Sequence, residues 1–323
     1  MATDSAVSFL PGQEPETSAT AKSAPANRLL VISSFLAIWL IWGSTYLAIR
    51  YAVETIPPLY TAGFRHLFGG IILLAICLAK GLRPTWNQIR ASIVIGFFFF
   101  LIGHGSLHWA ETRLPSGLAA LLIASEPIWV FVLSEAVARH FRVNLPLIGG
   151  VVLGLAGVAL LLGRGIWSQG PSMFLGAVAC LAGAVSWSIG IVYSRRSHLS
   201  GNPLLLSALS LLSGSVLLIT AGTVLGEARG FHLSQVSLRS WESLAYLVIF
   251  GSVVAFSCYN WLMEHFSPTL VSTHTYINPI IAVLLGWILA GEKMTLNVGI
   301  SAALVVGAVF LVDRGMARLR AVP

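Results

Sequence analysis

Two charged side chains fall well inside stretches otherwise apolar enough to cross a bilayer, away from their ends. Glu126 sits about 10 residues into a segment spanning 116–138, roughly 15 Å deep at the helical rise. A lone carboxylate at that depth costs about 2.5 kcal/mol or more unless it is paired, hydrated or protonated. It suits a proton-coupling group or the counter-charge of an ammonium; equally, it suits a buried polar group that fixes helix packing. Arg65 lies in the second apolar segment. It suits a pair with Glu126, which would offset two buried charges at once, or a bidentate receptor for a carboxylate. His66, His104, His108 and His274 also fall in apolar segments. His104 and His108 share a helix face, but with no Asp or Cys nearby in sequence they make a poor metal pair. They read more readily as packing histidines, with a pH-sensing role as the alternative. His274 and Asn278 are one helical turn apart, with Tyr276 between them.

Aromatic and hydroxyl side chains complete the set: Trp42, Thr45, Tyr46, Trp187, Tyr193, Tyr259 and Asn260. Aromatic walls suit an apolar or cationic small molecule, although aromatic residues near span ends serve more often as interface anchors. Pro127 follows Glu126 and Pro279 follows Asn278, and a proline removes a helix hydrogen bond and permits bending.

The elements that must position these residues are membrane helices. The chain has 323 residues, 56% hydrophobic and only 10% charged, where a soluble protein carries about 25%. Ten spans can be read: 29–50, 58–79, 91–109, 116–138, 145–163, 172–193, 203–225, 243–263, 268–289 and 295–313. Residues 1–28 read as a disordered tail without the pattern of a cleavable signal, and 314–323 as a short basic tail. The net charge of +7 comes from basic residues in short loops. Twelve fall on the side of the termini and six on the other, which predicts both termini in the cytoplasm and makes nucleic-acid binding a poor reading. Cys77, Cys180 and Cys258 all lie in spans and read as small buried residues, with no metal-ligand spacing.

The two halves repeat. Trp42/Trp187, Pro58/Pro203 and Gly69/Gly214 are each 145 apart, and Trp109/Trp261 and Pro127/Pro279 are 152 apart. Gly149/Gly299 and Gly157/Gly307 are 150 apart and predict close helix contact. Glu111-Thr-Arg-Leu-Pro115 is echoed by Glu264-His-Phe-Ser-Pro268. Five spans per copy is an odd number, so the second copy enters the membrane inverted. Such a repeat supplies two oppositely open states of nearly equal energy.

Trp42-Gly-Ser-Thr-Tyr46, Phe64-Arg65, Glu126-Pro127 and Tyr276-Ile-Asn-Pro-Ile-Ile-Ala-Val-Leu-Leu-Gly286 with Gly291-Glu292 resemble the EamA family of the drug/metabolite transporter superfamily. The likeness covers about 30–313. The chain departs from the family where Ala138-Arg-His-Phe-Arg142 replaces a glutamate common after the fourth span. The resemblance implies an all-α integral membrane protein of ten helices in two inverted five-helix repeats, 29–163 and 172–313. It also implies a central cavity and export of amino acids or other small metabolites from bacteria, across the inner membrane, without ATP. The expected partners are the bilayer, a small molecule and a coupling proton, with no cofactor.

A membrane-embedded transferase would need clustered carboxylates for Mg²⁺, and the chain has only Asp4 and Asp313 as aspartates and no phosphate-binding Gly-rich loop. A passive channel would show rings of like polar residues, where this chain has two unlike marks, Glu126 and Asn278. The expectation is therefore a carrier and not an enzyme. Its substrate contacts are Trp42, Thr45, Tyr46, Arg65, Trp187, Tyr259, His274, Tyr276 and Asn278, its coupling group is Glu126, and its hinges are Pro127 and Pro279.

Overall fold

A computed structural model describes residues 28–138, 143–162, 170–197, 201–266 and 268–320. Ten helices run through them, with no strand among the described residues. They are α1 (Arg28–Ala52), α2 (Pro58–Ala79), α3 (Trp86–Glu111), α4 (Ser116–Ile123 and Glu126–Ala138), α5 (Leu145–Leu160), α6 (Pro171–Arg196), α7 (Pro203–Val224), α8 (Leu238–His265), α9 (Pro268–Val271 and His274–Ala290) and α10 (Leu296–Arg320). Eight are long and apolar enough to cross a membrane, and α5 and the main piece of α9 are shorter apolar helices. Leu145, Val152, Val216, Val224 and Leu296 are 62–83% exposed. Large aliphatic side chains turned outward in such number belong against lipid. The tail 1–27 lies outside the described residues.

Local chemistry sets the starts. Prolines at the first turns of α2, α5, α6 and α7 have no N–H to leave unsatisfied, and Asn144, Asn202 and Ser237 cap α5, α7 and α8. Thr85 and Gln88 form a reciprocal capping box that starts α3 at Trp86, ahead of the expected residue 91. The polar first turn hid that start from a hydropathy reading. For the same reason α8 starts at Leu238 instead of 243. At the other end of the chain, α10 continues past 313 to Arg320.

Packing follows a pseudo-twofold axis. α2 lies along α7 and α5 along α10, each helix against its own repeat partner. α1 packs on α8 and α9 as α6 packs on α3 and α4, and α4 meets α9 at the centre. This is the arrangement of two inverted five-helix repeats. With ten helices, the beginning of α1 and the end of α10 share one end of the bundle, here the terminal end; the turns after α1, α3, α5, α7 and α9 form the opposite end.

The glycine seam needs one correction. A Cβ on Gly150 would lie 2.9 Å from the Ala308 carbonyl and from the Val312 nitrogen, and one on Gly157 3.0 Å from Leu304. Gly299, however, has nothing within 4 Å and Gly149 only Leu311 at 4.0 Å. The repeat pair Gly149/Gly299 therefore faces outward in both halves, and the close contact is made by Gly150 and Gly157.

Three helices contain wide, π-type turns: 37–41 in α1, 96–104 in α3 and 247–254 in α8. Those of α3 and α8 fall at equivalent places in the two repeats. A π turn disturbs the i→i+4 ladder, and side chains from other helices reach a carbonyl in each one. Ser186 donates to Phe98 O at 2.8 Å, and the Trp42 indole donates to Gly251 O at 3.1 Å. The Asn278 amide donates to Trp39 O, also at 3.1 Å.

Candidate functional site

Around the wide turn of α8, the inner faces of α1, α2, α8 and α9 bring most of the expected residues together. The Trp42 ring packs against Phe256, Tyr259 and His274 with centroids 5.5, 5.3 and 5.0 Å away. Its bond to Gly251 O fixes the ring, and Gly251 itself is in close contact with Thr45 and with the Arg65 guanidinium. Arg65 is 3% exposed and donates through Nε to Ser252 Oγ at 3.3 Å. Ser252, a partner not anticipated from the sequence, lies within the π turn of α8. Thr45 spends its hydroxyl on Trp42 O, 2.6 Å away in its own helix, so it contributes a methyl group to this wall.

Glu126 is half-buried at the start of the second piece of α4, where the helix dipole favours a negative charge. The expected Arg65–Glu126 ion pair does not form: Arg65 has no carboxylate within ion-pair distance among the described residues. Ser252 and the backbone of α8 stand at the guanidinium instead. Each charge lies within electrostatic range of Tyr46, and Glu126 also of Tyr259 and Arg195.

Trp187 builds a second cluster on α6, α3 and α2. It stacks on Phe99 at 4.3 Å and 9°, and on His104 at 5.0 Å and 24°. His104 shares a hydrogen bond of 2.8 Å with His66. No group of three or more metal-ligating side chains occurs among the described residues. The two tryptophans differ in one respect: the Trp187 indole has no hydrogen-bond partner among the described residues. Trp42→Phe is therefore expected to lower stability by about 1–3 kcal/mol, because it orphans the Gly251 carbonyl, while Trp187→Phe costs less. Thermal unfolding of the two purified variants in the same detergent measures the difference.

Two expected contacts point elsewhere. Tyr276 turns to α10, where its hydroxyl bonds Asp313, which also accepts from Ser272 at 3.2 Å. Asn278 is a joint between helices: its amide donates to His274 O and Trp39 O. The hinge residues differ as well. α4 breaks at 124–125, just before Pro127, whereas Pro279 lies inside a continuous helix and α9 breaks at 272–273 instead.

The end opposite the termini is closed by carboxylates that the sequence left unassigned. Glu292 accepts from Ser116 N at 2.6 Å, Ser116 Oγ at 2.7 Å and Gly117 N at 3.0 Å, tying the turn after α9 to the start of α4. Glu227 accepts from Leu59 N and Tyr60 N at the start of α2. Burial raises the Glu227 carboxyl above its ordinary range, and the two backbone N–H groups oppose that shift. Beside Glu292 a vestibule of about 450 Å³ opens, lined by Arg50, Thr112, Arg113 and Arg239 among others.

The chain matches the profile of the EamA-like transporter family over residues 29–163 and 174–313. It is 35% identical over 289 residues to a protein of Escherichia coli (strain K12) named "Uncharacterized inner membrane transporter YedA", covering 89% of this chain and 92% of that one. It is 26% identical to "Uncharacterized transporter YvbV" of Bacillus subtilis (strain 168), over 90% and 93% of the two chains. A solved structure described as "Crystal structure of protein" superposes with a TM-score of 0.62 at 22% identity, covering 90% of this chain and 98% of that one; it speaks for the fold alone.

Proposed function

Because the chain belongs to the EamA-like transporter family and is a membrane transporter, we propose that it is a secondary carrier for zwitterionic amino acids or closely related metabolites. In this reading it exports them across the bacterial inner membrane by alternating access, with both termini in the cytoplasm. One observation carries the substrate class. A buried guanidinium without a carboxylate partner among the described residues stands near an aromatic cluster of Trp42, Phe256, Tyr259 and His274, and the Glu126 carboxylate, not paired with it, lies within electrostatic range of Tyr259 in that cluster. An amino acid answers both charges: its carboxylate meets Arg65, its ammonium meets Glu126, and its side chain meets the rings. Binding then supplies Arg65 with the carboxylate partner it lacks among the described residues.

The packing supports the access mechanism. α9 lies along the first piece of α4, where Glu292 fastens them, while the second piece of α4 packs on α6 and α10 instead. The two central helices thus close against each other at the end opposite the termini and part toward the terminal end. The units that rock are the two bundles, in which the repeats exchange their first helices: α6 packs with α3 and α4, and α1 with α8 and α9.

Counterflow in proteoliposomes tests this without assuming a coupling ion. Vesicles loaded with an unlabelled amino-acid mixture are offered labelled amino acids one at a time. At least one is expected to accumulate over protein-free vesicles, with uptake reduced about tenfold or more by Arg65→Met, the equivalent of one lost charge-assisted interaction. Exchange of no member of the panel, or full exchange by both Arg65→Met and Glu126→Gln, overturns the proposal.

A further inference from the structure

The vestibule beside Glu292 is built by the inner helices of the bundle. Its lining comes from the ends of α1, α3 and α9, the turns that follow them, and the starts of α6 and α8. No lining residue comes from α2, α5, α7 or α10, the helices that lie along their own repeat partners. The vestibule is therefore the mouth of the central interior and not a cleft on the flank that faces lipid.

Three guanidiniums reach this mouth from separate elements: Arg50 on α1, Arg113 in the turn after α3 and Arg239 on α8. Arg239 is answered by Glu54 at 3.4 Å. Glu292, the other carboxylate of the wall, is already held by Ser116 and Gly117. Arg50 and Arg113 have no carboxylate within ion-pair distance among the described residues. Each spends its Nη1 on neutral oxygens instead. Arg50 donates to the Glu111 carbonyl at 2.6 Å, and Arg113 to the Trp109 carbonyl at 3.2 Å and the Thr112 hydroxyl at 2.5 Å. The Glu111 carboxylate itself is fully buried and accepts no hydrogen bond. These bonds fix the two side chains, and the Trp109 ring, 3.7 Å from the Arg113 guanidinium, steadies one of them further. A guanidinium has five N–H donors, and the others on both side chains have no partner among the described residues.

Fixed guanidiniums with donors to spare, on the wall of a cavity of about 450 Å³, match the needs of a small oxyanion. We propose that the vestibule is a second, outer binding site, which takes the carboxylate of a small solute through Arg50 and Arg113. Phosphate offers the same chemistry, as a free ion or on a lipid headgroup. The place of the vestibule over the interior, away from the lipid-facing pairs of helices, favours the free solute. In transport the site is the station beyond the Glu292 fastening, on the far side from Arg65. That role rests on the carrier reading; the binding is measurable without any transport.

The test is thiol labelling of the purified full chain in detergent. Met173→Cys, in a background without the three native cysteines, sets a single thiol in the vestibule wall. An anionic thiosulfonate reagent is expected to label it about tenfold or more faster than a cationic one, after correction for their rates with a free thiol, because a positive cleft concentrates anions. Succinate or inorganic phosphate should slow the labelling more than sodium chloride at the same ionic strength, which screens the charge without filling the site. Arg113→Gln should remove that protection. Arg50→Lys keeps the charge and loses the fork, so it should retain the anionic preference and lose the protection, a split that a merely structural role would not give. Equal labelling by the two reagents, or protection no greater than that of chloride, overturns the site. Repetition in nanodiscs of phosphatidylcholine or phosphatidylglycerol separates the sources: protection by phosphatidylglycerol, with none by succinate or phosphate, assigns the arginines to a headgroup and overturns the solute. A counterflow panel without exchange leaves this result standing, and failure here leaves the Arg65 site standing.

Discussion

Glu292→Ala is expected to unfasten the bundle at the end opposite the termini and to raise the accessibility of the gap between α4 and α9 about tenfold or more. The carboxylate holds the first two backbone N–H groups of α4 and the Ser116 hydroxyl. Hydrogen bonds to a charged acceptor contribute about 1.5–3 kcal/mol each, and loss of a helix cap alone costs about 1 kcal/mol. Gly291 makes the reach possible. Its φ of 64° ends α9 in a left-handed turn, and Glu292 N closes onto Gly286 O at 3.0 Å. Gly286 makes room, since a Cβ there would lie 2.4 Å from the Glu292 carboxylate. A population shift of about 1.4 kcal/mol changes the open fraction tenfold. The check is the labelling rate of Leu118→Cys, a position 8% exposed beside the fastening, by a water-soluble maleimide in a background without the three native cysteines. Unchanged labelling in Glu292→Ala would mean that the fastening is a static cap and that closure at this end resides in the apolar contacts alone.

Gly150→Val is expected to be the most damaging single change to the fold, at about 3 kcal/mol or more. α5 and α10 meet there backbone to backbone. The nearest atoms to a new Cβ are Val312 Cγ2 at 2.8 Å, the Ala308 carbonyl at 2.9 Å and the Val312 nitrogen at 2.9 Å. A side chain can turn aside, but a helix backbone held along its length cannot, so the two helices must separate. Overpacking of a well-packed contact costs about 1–3 kcal/mol even where repacking is possible, and the Asn144 bond to Gly315 O at 2.8 Å, further along the same seam, would be strained as well. Gly299→Ala is the matched control. Nothing lies within 4 Å of its Cβ, so the exchange should be neutral or stabilise α10 by up to about 1 kcal/mol. Monodisperse elution and unfolding temperature in detergent report both. Equal behaviour of the two variants would contradict the packing described.

These two glycines show where sequence reading reaches its limit. Segment hydropathy, prolines at helix starts and the 145–152 spacing are local or periodic signals, so the ten helices and their repetition were legible. Whether a glycine of this seam meets a neighbour depends on a helix far away in the chain: of the adjacent Gly149 and Gly150, Gly150 is the one in close contact. Arg65 and Glu126 show the same limit: two charges in spans that start from the same face invite pairing, yet α8 offers Ser252 to the guanidinium instead. Glu111 was visible only as a repeat mark beside Glu264, and Glu264 is exposed where Glu111 is buried. Nothing in the local sequence separates them. Glu292 belonged to a recognisable terminal motif, but its three contacts lie more than 170 residues earlier.

The wide turns of α3 and α8 have a historical consequence. A π turn is what a helix forms when it takes up one residue too many for its frame. The two turns occupy equivalent places in halves that run in opposite directions through the membrane, and Phe98 and Gly251, near the middle of each, offer their carbonyls to α6 and α1, themselves equivalents. Two independent insertions at one site are a longer history than a single insertion in an ancestral five-helix gene, followed by its duplication. On that account the extra residue is older than the ten-helix chain. The divergence of the halves came afterwards, when one descendant carried Arg65 and Glu126 and the other His274 and Asn278.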